Sequence, residues 1–127
     1  MSHDWRRSAP RILVVDDEDS IRDALATAFR YEGFAVDEAR DGREALAEVE
    51  RFQPDVVILD RNLPEIEGAE VGRRLRARGW QIPILFLTAT DAIDGEGGDL
   101  ERGEDYITKP FSLDNVVNRI KTILQLT

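Results

Sequence analysis

The sequence of 127 residues contains no cysteine, and this absence removes three kinds of chemistry at once. Disulfide bonds, thiolate nucleophiles and cysteine-based zinc sites all require a thiol. A chain without cysteine fits a reducing compartment, so we expect a cytoplasmic protein. The only histidine, His3, lies in a short polar N-terminal stretch, where a surface position is expected rather than a catalytic one.

Long hydrophobic runs are also missing from the sequence. Crossing a bilayer as a helix takes roughly 20 predominantly apolar residues, and no run approaches that length. The N-terminal stretch has no hydrophobic segment after its arginines, so it is not a signal peptide. We therefore expect no membrane segment. Residues 1–9 are predicted to form a loosely ordered or disordered tail, followed by one domain over residues 10–127.

Positive charge is scarce relative to negative charge. The chain has 17 lysines and arginines against 26 acidic residues, which gives a net charge of -9. An acidic body repels a polyphosphate backbone, so the chain alone is a poor candidate for binding nucleic acid. The same excess of carboxylates suits a cation site. Hydrophobic residues at 42% and charged residues at 34% are typical of a folded domain with a solvated surface.

The sequence alternates short apolar runs with amphipathic stretches. Strands are predicted over residues 12–15, 34–36, 56–59, 82–87 and 106–107. Helix signals lie between and after these runs: Gly33 is a natural C-terminal cap, Asp41 opens a helix, and Ser112 caps the last one. The side chains of the last helix that are expected to face the core are Leu113, Val116, Val117, Ile120 and Leu124. Five such units predict an α/β fold, a doubly wound parallel sheet with helices on both faces.

Polar side chains follow four of the predicted strands. They are Asp16 and Asp17 after the first strand, Asp60 after the third, Thr88 after the fourth and Lys109 after the fifth. The carboxyl ends of parallel strands lie on one edge of the sheet, where ligands collect, so these side chains are expected to share one pocket.

Each of these residues also has a simpler interpretation when it is taken alone. Asp17 or Asp19 could cap the first helix, and Asp60 could be an ordinary carboxylate at the end of a strand. Thr88 could be there for its β propensity, and Lys109 could be a solvated surface lysine.

The simpler interpretations weaken when the residues are combined. Two unit charges about 4 Å apart repel by roughly 4 kcal/mol at an effective dielectric constant near 20. Three converging carboxylates therefore need a compensating cation or raised pKa values, and one lysine cannot balance all three. A hard divalent ion such as Mg²⁺ takes oxygen ligands and can balance them.

Four motifs at these strand ends carry a family resemblance. They are Val15-Asp16-Asp17-Glu18, Leu59-Asp60-Arg61-Asn62-Leu63-Pro64, Leu87-Thr88-Ala89 and Asp105-Tyr106-Ile107-Thr108-Lys109-Pro110-Phe111. Together they closely resemble bacterial two-component response-regulator receiver domains, over about residues 10–126. The resemblance implies a CheY-like, flavodoxin-like (βα)5 sheet with strand order 2-1-3-4-5. The last helix is similar to that of the OmpR-like winged-helix branch.

The resemblance implies a role for each acidic position. Asp60 would accept a phosphoryl group from a sensor histidine kinase or a small phosphodonor and become 4-aspartylphosphate. Asp17 would ligate Mg²⁺ (or Mn²⁺) directly, and Asp16 would act largely through water. Asn62 would add its backbone carbonyl to this metal site, together with Asp60.

The resemblance also implies roles for the other residues of the pocket. Thr88 would donate its hydroxyl to the phosphoryl oxygen after transfer, and Lys109 would pair with the carboxylate or phosphoryl oxygens. The peptide bond from Lys109 to Pro110 is commonly cis in this family. Tyr106 would be the aromatic switch residue, with simple core packing as its alternative. Arg61 stands where an apolar residue is common, so it could lie over the pocket or point to solvent.

Phosphorylation is expected to alter the face formed by the fourth helix, the fifth strand and the fifth helix. In the OmpR-like branch active dimers form through this face, and Glu101, Asp105 and Arg119 fall where that branch places an intersubunit salt bridge. Gly95 and Asn115 fall where a second bridge would need charged partners, so the resemblance supports a homodimer only in part.

The fourth helix is the least regular of the predicted helices. It is expected over residues 91–103, which contain several glycines. Each interior glycine costs about 1 kcal/mol relative to alanine. We therefore predict a short, frayed or mobile helix in this stretch.

The output of the chain admits more than one interpretation. A receiver cut from a longer regulator, reaching DNA only through an output domain outside this chain, is favoured over a stand-alone receiver that acts by protein contacts or phosphorelay. A binding module independent of phosphorylation is disfavoured because no residue of the pocket is lost. A Mg²⁺-dependent phosphatase with an aspartyl nucleophile usually needs a second aspartate two residues on, where this chain has Asn62. No enzyme activity is expected beyond self-phosphorylation and dephosphorylation.

Overall fold

The computed structural model describes residues 9–89 and 103–126, which form a five-stranded parallel sheet with helices on both faces. The strands lie in the order β2-β1-β3-β4-β5, which confirms the predicted topology. The strands are β1 (Arg11–Val15), β2 (Ala35–Ala39), β3 (Val56–Asp60), β4 (Ile84–Ala89) and β5 (Glu104–Lys109). The helices are α1 (Asp19–Tyr31), α2 (Gly42–Phe52), α3 (Gly68–Ala77) and α4 (Leu113–Ile123), the last being the fifth helix of the sequence prediction.

Two predicted segments fall outside the part of the chain that the structure describes. They are the tail of residues 1–9, apart from residue 9, and the fourth helix predicted over residues 91–103, apart from residue 103. Glu101 and Gly95 belong to the second segment. The predictions made for these positions therefore stay predictions.

The core consists of two apolar layers, one on each face of the sheet. On one face Val14, Ile58 and Leu87 pack with α1 and α4, and on the other Val15 and Leu59 pack with α2 and α3. The two layers follow from the alternation of side chains along a strand. β3 is buried along its whole length, as an uninterrupted apolar run predicts for a strand covered on both faces.

β1 and β3 are each one residue longer than the sequence predicts, and the other three strands differ from the prediction by more than one residue. β2 reaches Ala39 because Asp37 and Glu38 continue the pairing with β1 at the edge of the sheet, where their side chains stay half-buried. β4 begins after Pro83 and includes Thr88. β5 covers six residues instead of two, because it pairs with β4 along its whole length up to Lys109. Asp60, Thr88 and Lys109 thus lie within the ends of their strands rather than after them.

The predicted helix caps at Asp41 and Ser112 are confirmed. The Asp41 side chain accepts a hydrogen bond from the Glu44 backbone N–H at 2.8 Å, and Ser112 accepts one from Asn115 at 3.1 Å. Leu113 was wrongly expected in the core: it is the first residue of α4 and is 39% exposed, at the rim. Within the described ranges, no helix has both the length and the apolar character needed to cross a membrane.

Candidate functional site

The carboxyl ends of β1 and β3 bring three carboxylates together. Asp16, Asp17 and Asp60 each offer an oxygen, and these three oxygens lie within 4.8 Å of one another. The two strands are neighbours with Val15 opposite Leu59, so the residues that follow these two positions meet at one edge. Asp16 is fully buried and Asp60 is 2% exposed, whereas Asp17 faces solvent. The residues are placed as the sequence predicted, while their roles stay predictions.

Asp60 has a partner at each carboxylate oxygen. Its Oδ1 accepts a hydrogen bond from the Asn62 backbone N–H at 3.0 Å, and its Oδ2 accepts one from Lys109 Nζ at 3.1 Å. The strand ladder continues past Asp60, because the Arg61 N–H donates to the Leu87 carbonyl at 2.9 Å. The carboxylate is therefore oriented by its own loop and balanced by one cation from β5.

Asp16 carries a buried oxygen that no donor of the described residues satisfies. Its Oδ1 accepts a hydrogen bond from the Glu18 backbone N–H at 2.9 Å. Its Oδ2 has no hydrogen-bond partner among the described residues, and Lys109 Nζ lies 4.0 Å away, too far for a hydrogen bond. Burial raises the pKa of Asp16 to about 6 against the opposing Glu18 hydrogen bond, and the negative charge of Asp60 adds to the rise.

An unsatisfied buried oxygen beside two further carboxylates fits a cation. Hard divalent ions such as Mg²⁺ take carboxylate, carbonyl and water oxygens, and this edge of the sheet offers the first two. The simpler interpretation of Asp17 or Asp19 as a helix cap is wrong, because the N-cap of α1 is Glu18, and among the described residues no side chain makes a capping hydrogen bond to this helix. The cluster can therefore hold a metal ion, and its acidic residues are not explained by helix capping.

The raised pKa of Asp16 makes the stability of the metal-free protein depend on pH. A carboxyl group whose pKa rises from 3.8 to about 6 on folding binds its proton more tightly in the folded state. Its contribution to the free energy of unfolding therefore falls as the pH rises from about 4 to about 6. At pH 7 this contribution is a loss of up to about 3 kcal/mol. We expect Asp16→Asn to stabilise the metal-free protein at pH 7 and to flatten this pH dependence.

Urea unfolding at pH 5 and pH 7, with and without MgCl₂, measures this effect. Mg²⁺ is expected to stabilise the wild type more at pH 7 than at pH 5, because protons compete for Asp16 at the lower pH. Asp23→Asn, at an exposed position of α1, is the matched control that removes one charge elsewhere. An Asp16→Asn variant with the same pH dependence as Asp23→Asn would contradict the prediction.

Thr88 and Lys109 lie at the carboxyl ends of β4 and β5. Thr88 is 3% exposed, and its hydroxyl lies 3.5 Å from the Ala89 carbonyl, which is long for a hydrogen bond. The bond from Lys109 to Pro110 is cis, as the resemblance implied. Tyr106 is half-buried against the core layer under α2 and α3, and it lies opposite Phe86 in the strand register. Its role as a switch stays a prediction.

Arg61, expected either to lie over the pocket or to point to solvent, packs against an aromatic ring. The Arg61 guanidinium carbon lies 5.5 Å from the centroid of the Phe86 ring, a cation–π contact at the edge of the sheet. Phe86 is 3% exposed, so the guanidinium covers a buried ring rather than pointing only to solvent. Arg61, the residue next to Asp60, therefore packs its guanidinium on the Phe86 ring.

Gly68 is a residue of the site that sequence analysis missed. A Cβ atom at this position would lie 2.3 Å from the Asp60 carbonyl oxygen and 2.8 Å from the Arg61 Cα. The Gly68 N–H also donates to the Arg61 carbonyl at 3.0 Å. The start of α3 thus packs directly on the backbone of Asp60. The one available signal was a glycine at the beginning of a predicted helix, where it has no propensity advantage.

Replacing Gly68 by alanine is expected to destabilise the protein by about 3 kcal/mol, since the added methyl group meets backbone that cannot move alone. Gly72→Ala is the matched control in the same helix: its Cβ would lie 3.3 Å from the tip of the Phe86 ring, which can tilt. Urea unfolding of both variants measures the difference. Equal stabilities would show that α3 does not constrain Asp60 in this way.

The residues predicted for a dimer face lie on β5 and α4. Arg119 donates to the Asp105 carboxylate at 2.8 Å and to the Tyr106 carbonyl at 3.2 Å. These two side chains, predicted for an intersubunit bridge, therefore pair within one chain. The Arg119 and Asp105 side chains are 41% and 43% exposed. Glu101 lies outside the described residues.

Comparison with known proteins assigns the chain to a family. The family model described as "Response regulator receiver domain" matches residues 12–121. The chain therefore belongs to the response regulator receiver domain family. The chain is 42% identical over 118 residues to "Response regulator MprA" of Mycolicibacterium vanbaalenii, which covers 92% of this chain and 51% of that protein. It is 43% identical over 117 residues to "Probable transcriptional regulatory protein TcrX" of Mycobacterium tuberculosis, which covers 91% and 50%. The chain thus spans about half the length of these relatives.

Solved structures agree with this assignment. The receiver domain of Francisella response regulator 1452 superposes with a TM-score of 0.84 at 32% identity, covering 91% of this chain and 97% of that one. Chemotaxis response regulator CheY4 of Vibrio cholerae gives 0.82 at 29% identity, covering 91% and 99%. The chain is a CheY-like receiver domain of a two-component response regulator.

Proposed function

We propose that Asp60 accepts the phosphoryl group in this receiver domain, in a Mg²⁺-dependent reaction. The observation that carries the proposal is the Asp60 carboxylate itself. It is nearly buried, hydrogen-bonded to Lys109 at 3.1 Å and grouped with Asp16 and Asp17 within 4.8 Å. Asp60 is the member that combines burial with a direct cationic partner, while Asp16 and Asp17 complete a cation site.

The transfer step follows from this arrangement. An Asp60 carboxylate oxygen attacks the phosphorus atom of the donor and forms the acyl phosphate. For a phosphohistidine donor, the bond from phosphorus to the imidazole nitrogen breaks, and its electron pair returns to that nitrogen. Both reactants are anions, so the barrier is largely electrostatic. Mg²⁺, held by Asp16, Asp17, Asp60 and the Asn62 carbonyl, would supply neutralising charge for the phosphoryl oxygens.

Lys109 and Thr88 would act on the same oxygens from the other side of the pocket. Lys109 Nζ is 3.1 Å from Asp60 and 4.0 Å from Asp16, so it can move to a phosphoryl oxygen without leaving the cluster. The Thr88 hydroxyl gives up only a long contact when it turns to the phosphate. Tyr106, half-buried one strand away, would then move inward as the switch residue.

The family and the relatives support a wider function for the whole protein. The domain over residues 10–127, with residues 1–9 as a tail, would receive its phosphoryl group from a sensor histidine kinase in the cytoplasm. It would control a DNA-binding output domain of the OmpR-like type in the whole protein. The name of TcrX, a transcriptional regulatory protein, supports this output. Self-phosphorylation and dephosphorylation would be the only reactions that it catalyses.

A homodimer through β5, α4 and the stretch before β5 is part of the same proposal. Exposed Asp105 and Arg119 would exchange partners between subunits, with Glu101 contributing. An open groove of about 560 Å³ between β5 and α4, lined in part by Tyr106, Phe111 and Arg119, lies on this face. A groove beside exposed charged side chains is suited to a switched contact.

Incubation with acetyl phosphate, followed by intact mass spectrometry, tests the proposed function. We expect the addition of one phosphoryl group in MgCl₂ and none in excess chelator. Addition of the group at the same rate without a divalent ion would contradict the proposal. Sustained turnover of a phosphate monoester would instead support the phosphatase alternative, which the Asn62 position disfavours.

A further inference from the structure

We propose that Arg22 is a positioning residue for the acidic cluster: it holds the peptide between Asp16 and Asp17 and thereby fixes the Asp17 carboxylate for cation binding. The predicted effect, a change in metal affinity, rests on the proposed function, because it requires that the acidic cluster binds Mg²⁺. The positioning role itself is argued from the contacts of Arg22. Arg22 itself lies on α1, one turn beyond the cluster, and is not a metal ligand.

The Arg22 guanidinium joins three segments of the chain. One terminal nitrogen donates to the Asp16 backbone carbonyl at 2.8 Å, and the other donates to the Asp19 carboxylate at 2.6 Å. Its Nε donates to Glu38 on β2 at 3.3 Å. The Arg22 side chain is 11% exposed, and its contacts with Asp16 and Glu38 are partly buried, whereas the Asp19 carboxylate is 79% exposed. The planar guanidinium with several donors suits such a three-way contact, which a lysine cannot reproduce.

The contact with the Asp16 carbonyl also constrains Asp17, because the two residues share a peptide plane. The carbonyl of Asp16 and the N–H of Asp17 belong to one planar unit. Fixing the carbonyl therefore fixes the direction in which the Asp17 backbone leaves the end of β1. The preceding peptide is held separately, since the Asp16 N–H donates to the Ala39 carbonyl at 3.2 Å.

Asp17 depends on this backbone support more than Asp16 does. Asp16 has its own constraint, the hydrogen bond from the Glu18 N–H at 2.9 Å. The Asp17 side chain is exposed and has no hydrogen bond or ion pair within the described ranges. Its carboxylate reaches the cluster only because the backbone directs it there. Among the described residues, Arg22 is the side chain that donates a hydrogen bond to the backbone at that point.

The direction in which Mg²⁺ affinity changes when Arg22 is removed distinguishes a positioning role from a simple effect of its charge. Arg22 is a cation near a cation site, so its charge alone opposes metal binding. If charge were its only influence, removing it would tighten the binding of Mg²⁺. If Arg22 positions Asp17, removing it weakens the binding, because an oxygen ligand is no longer held toward the ion.

Arg22→Gln is the direct test, with Arg30→Gln as the matched control. Arg30 is also on α1 and also binds Glu38, at 3.2 Å, but its other contact is the Val36 carbonyl and not Asp16. Titration with MgCl₂ by calorimetry should give a Kd about 10-fold higher for Arg22→Gln than for the wild type. Arg30→Gln should leave the Kd unchanged, and Arg22→Lys should fall between the two, since its single ammonium can replace only part of the contact.

Hydrogen exchange of the metal-free protein provides a second readout that needs no bound ion. The Glu18 amide, which donates to Asp16, should exchange faster in Arg22→Gln and not in Arg30→Gln. A Kd for Arg22→Gln that is unchanged or lower overturns the inference, whatever the thermal stability of the variant. If the wild type itself binds no Mg²⁺, the metal part of the proposed function fails. Unchanged Glu18 exchange in Arg22→Gln would then overturn the positioning role separately.

Discussion

Replacing Asp60 by asparagine is expected to abolish phosphorylation of the chain while leaving it folded. The amide lacks the anionic oxygen that attacks phosphorus, and no other carboxylate of the cluster combines burial with a hydrogen bond to Lys109. Asparagine nearly preserves the side-chain shape, and its oxygen can still accept a hydrogen bond. The free energy of unfolding of the metal-free protein should rise at pH 7, because one of three converging charges is removed.

Intact mass spectrometry after incubation with acetyl phosphate and MgCl₂ measures this loss. Asp17→Asn is the informative control, since it removes a charge from the same cluster but not the proposed acceptor. We expect Asp17→Asn to be phosphorylated slowly and to recover in part at high MgCl₂. Asp60→Asn should gain no phosphoryl group at any concentration. Phosphorylated Asp60→Asn protein would exclude Asp60 as the acceptor.

Replacing Lys109 by methionine is expected to slow phosphorylation by about 100-fold, as the loss of one preorganised donor does in other electrostatic sites. The same change should destabilise the metal-free protein at pH 7 by about 2 kcal/mol, because Asp60 and Asp16 lose their nearest cation. This figure lies below the cost of breaking a fully buried pair, since the lysine side chain is 24% exposed.

Lys121→Met is the matched control for the lysine. Lys121 pairs with Glu32 at 2.7 Å, away from the cluster, and both side chains are 31% exposed. We expect no effect on the phosphorylation rate and only a small loss of stability. Stopped-time mass spectrometry and urea unfolding of both variants give the comparison. A Lys109→Met variant that is phosphorylated at the wild-type rate would remove Lys109 from the mechanism.

The fold and the composition of the acidic cluster could be predicted because both depend on local patterns. The apolar run Val56–Leu59 marks a strand that is buried on both faces, and Asp41 and Ser112 mark helix starts. Once the strands are parallel, topology alone brings their carboxyl ends together. Knowing which residues lie at the carboxyl end of each strand was therefore enough to place Asp16, Asp17 and Asp60 at one edge.

Features that depend on distances between segments could not be predicted in this way. The steric need for Gly68 arises from the approach of α3 to the Asp60 backbone, which no local pattern reports. The contact of Arg61 with Phe86 and that of Arg22 with the Asp16 carbonyl likewise join separate elements.

Local patterns also gave wrong boundaries at the edges of the sheet. The pairing with β1 continues β2 through polar residues that local patterning places in a loop. The first residue of α4, Leu113, follows the apolar pattern of the helix but lies at the rim of the core. Edge strands and helix ends are only partly covered, so hydrophobic periodicity is a weaker guide there than in the centre of the sheet.

The position of the phosphoryl group tests the central claim most directly. The chain is incubated with acetyl phosphate and MgCl₂, the acyl phosphate is trapped by borohydride reduction, and the modified residue is located by peptide mass spectrometry. We predict a single modification, at Asp60, that is absent when the divalent ion is chelated. Modification at Asp16 or Asp17, or no modification with a competent donor and Mg²⁺ present, would contradict the account.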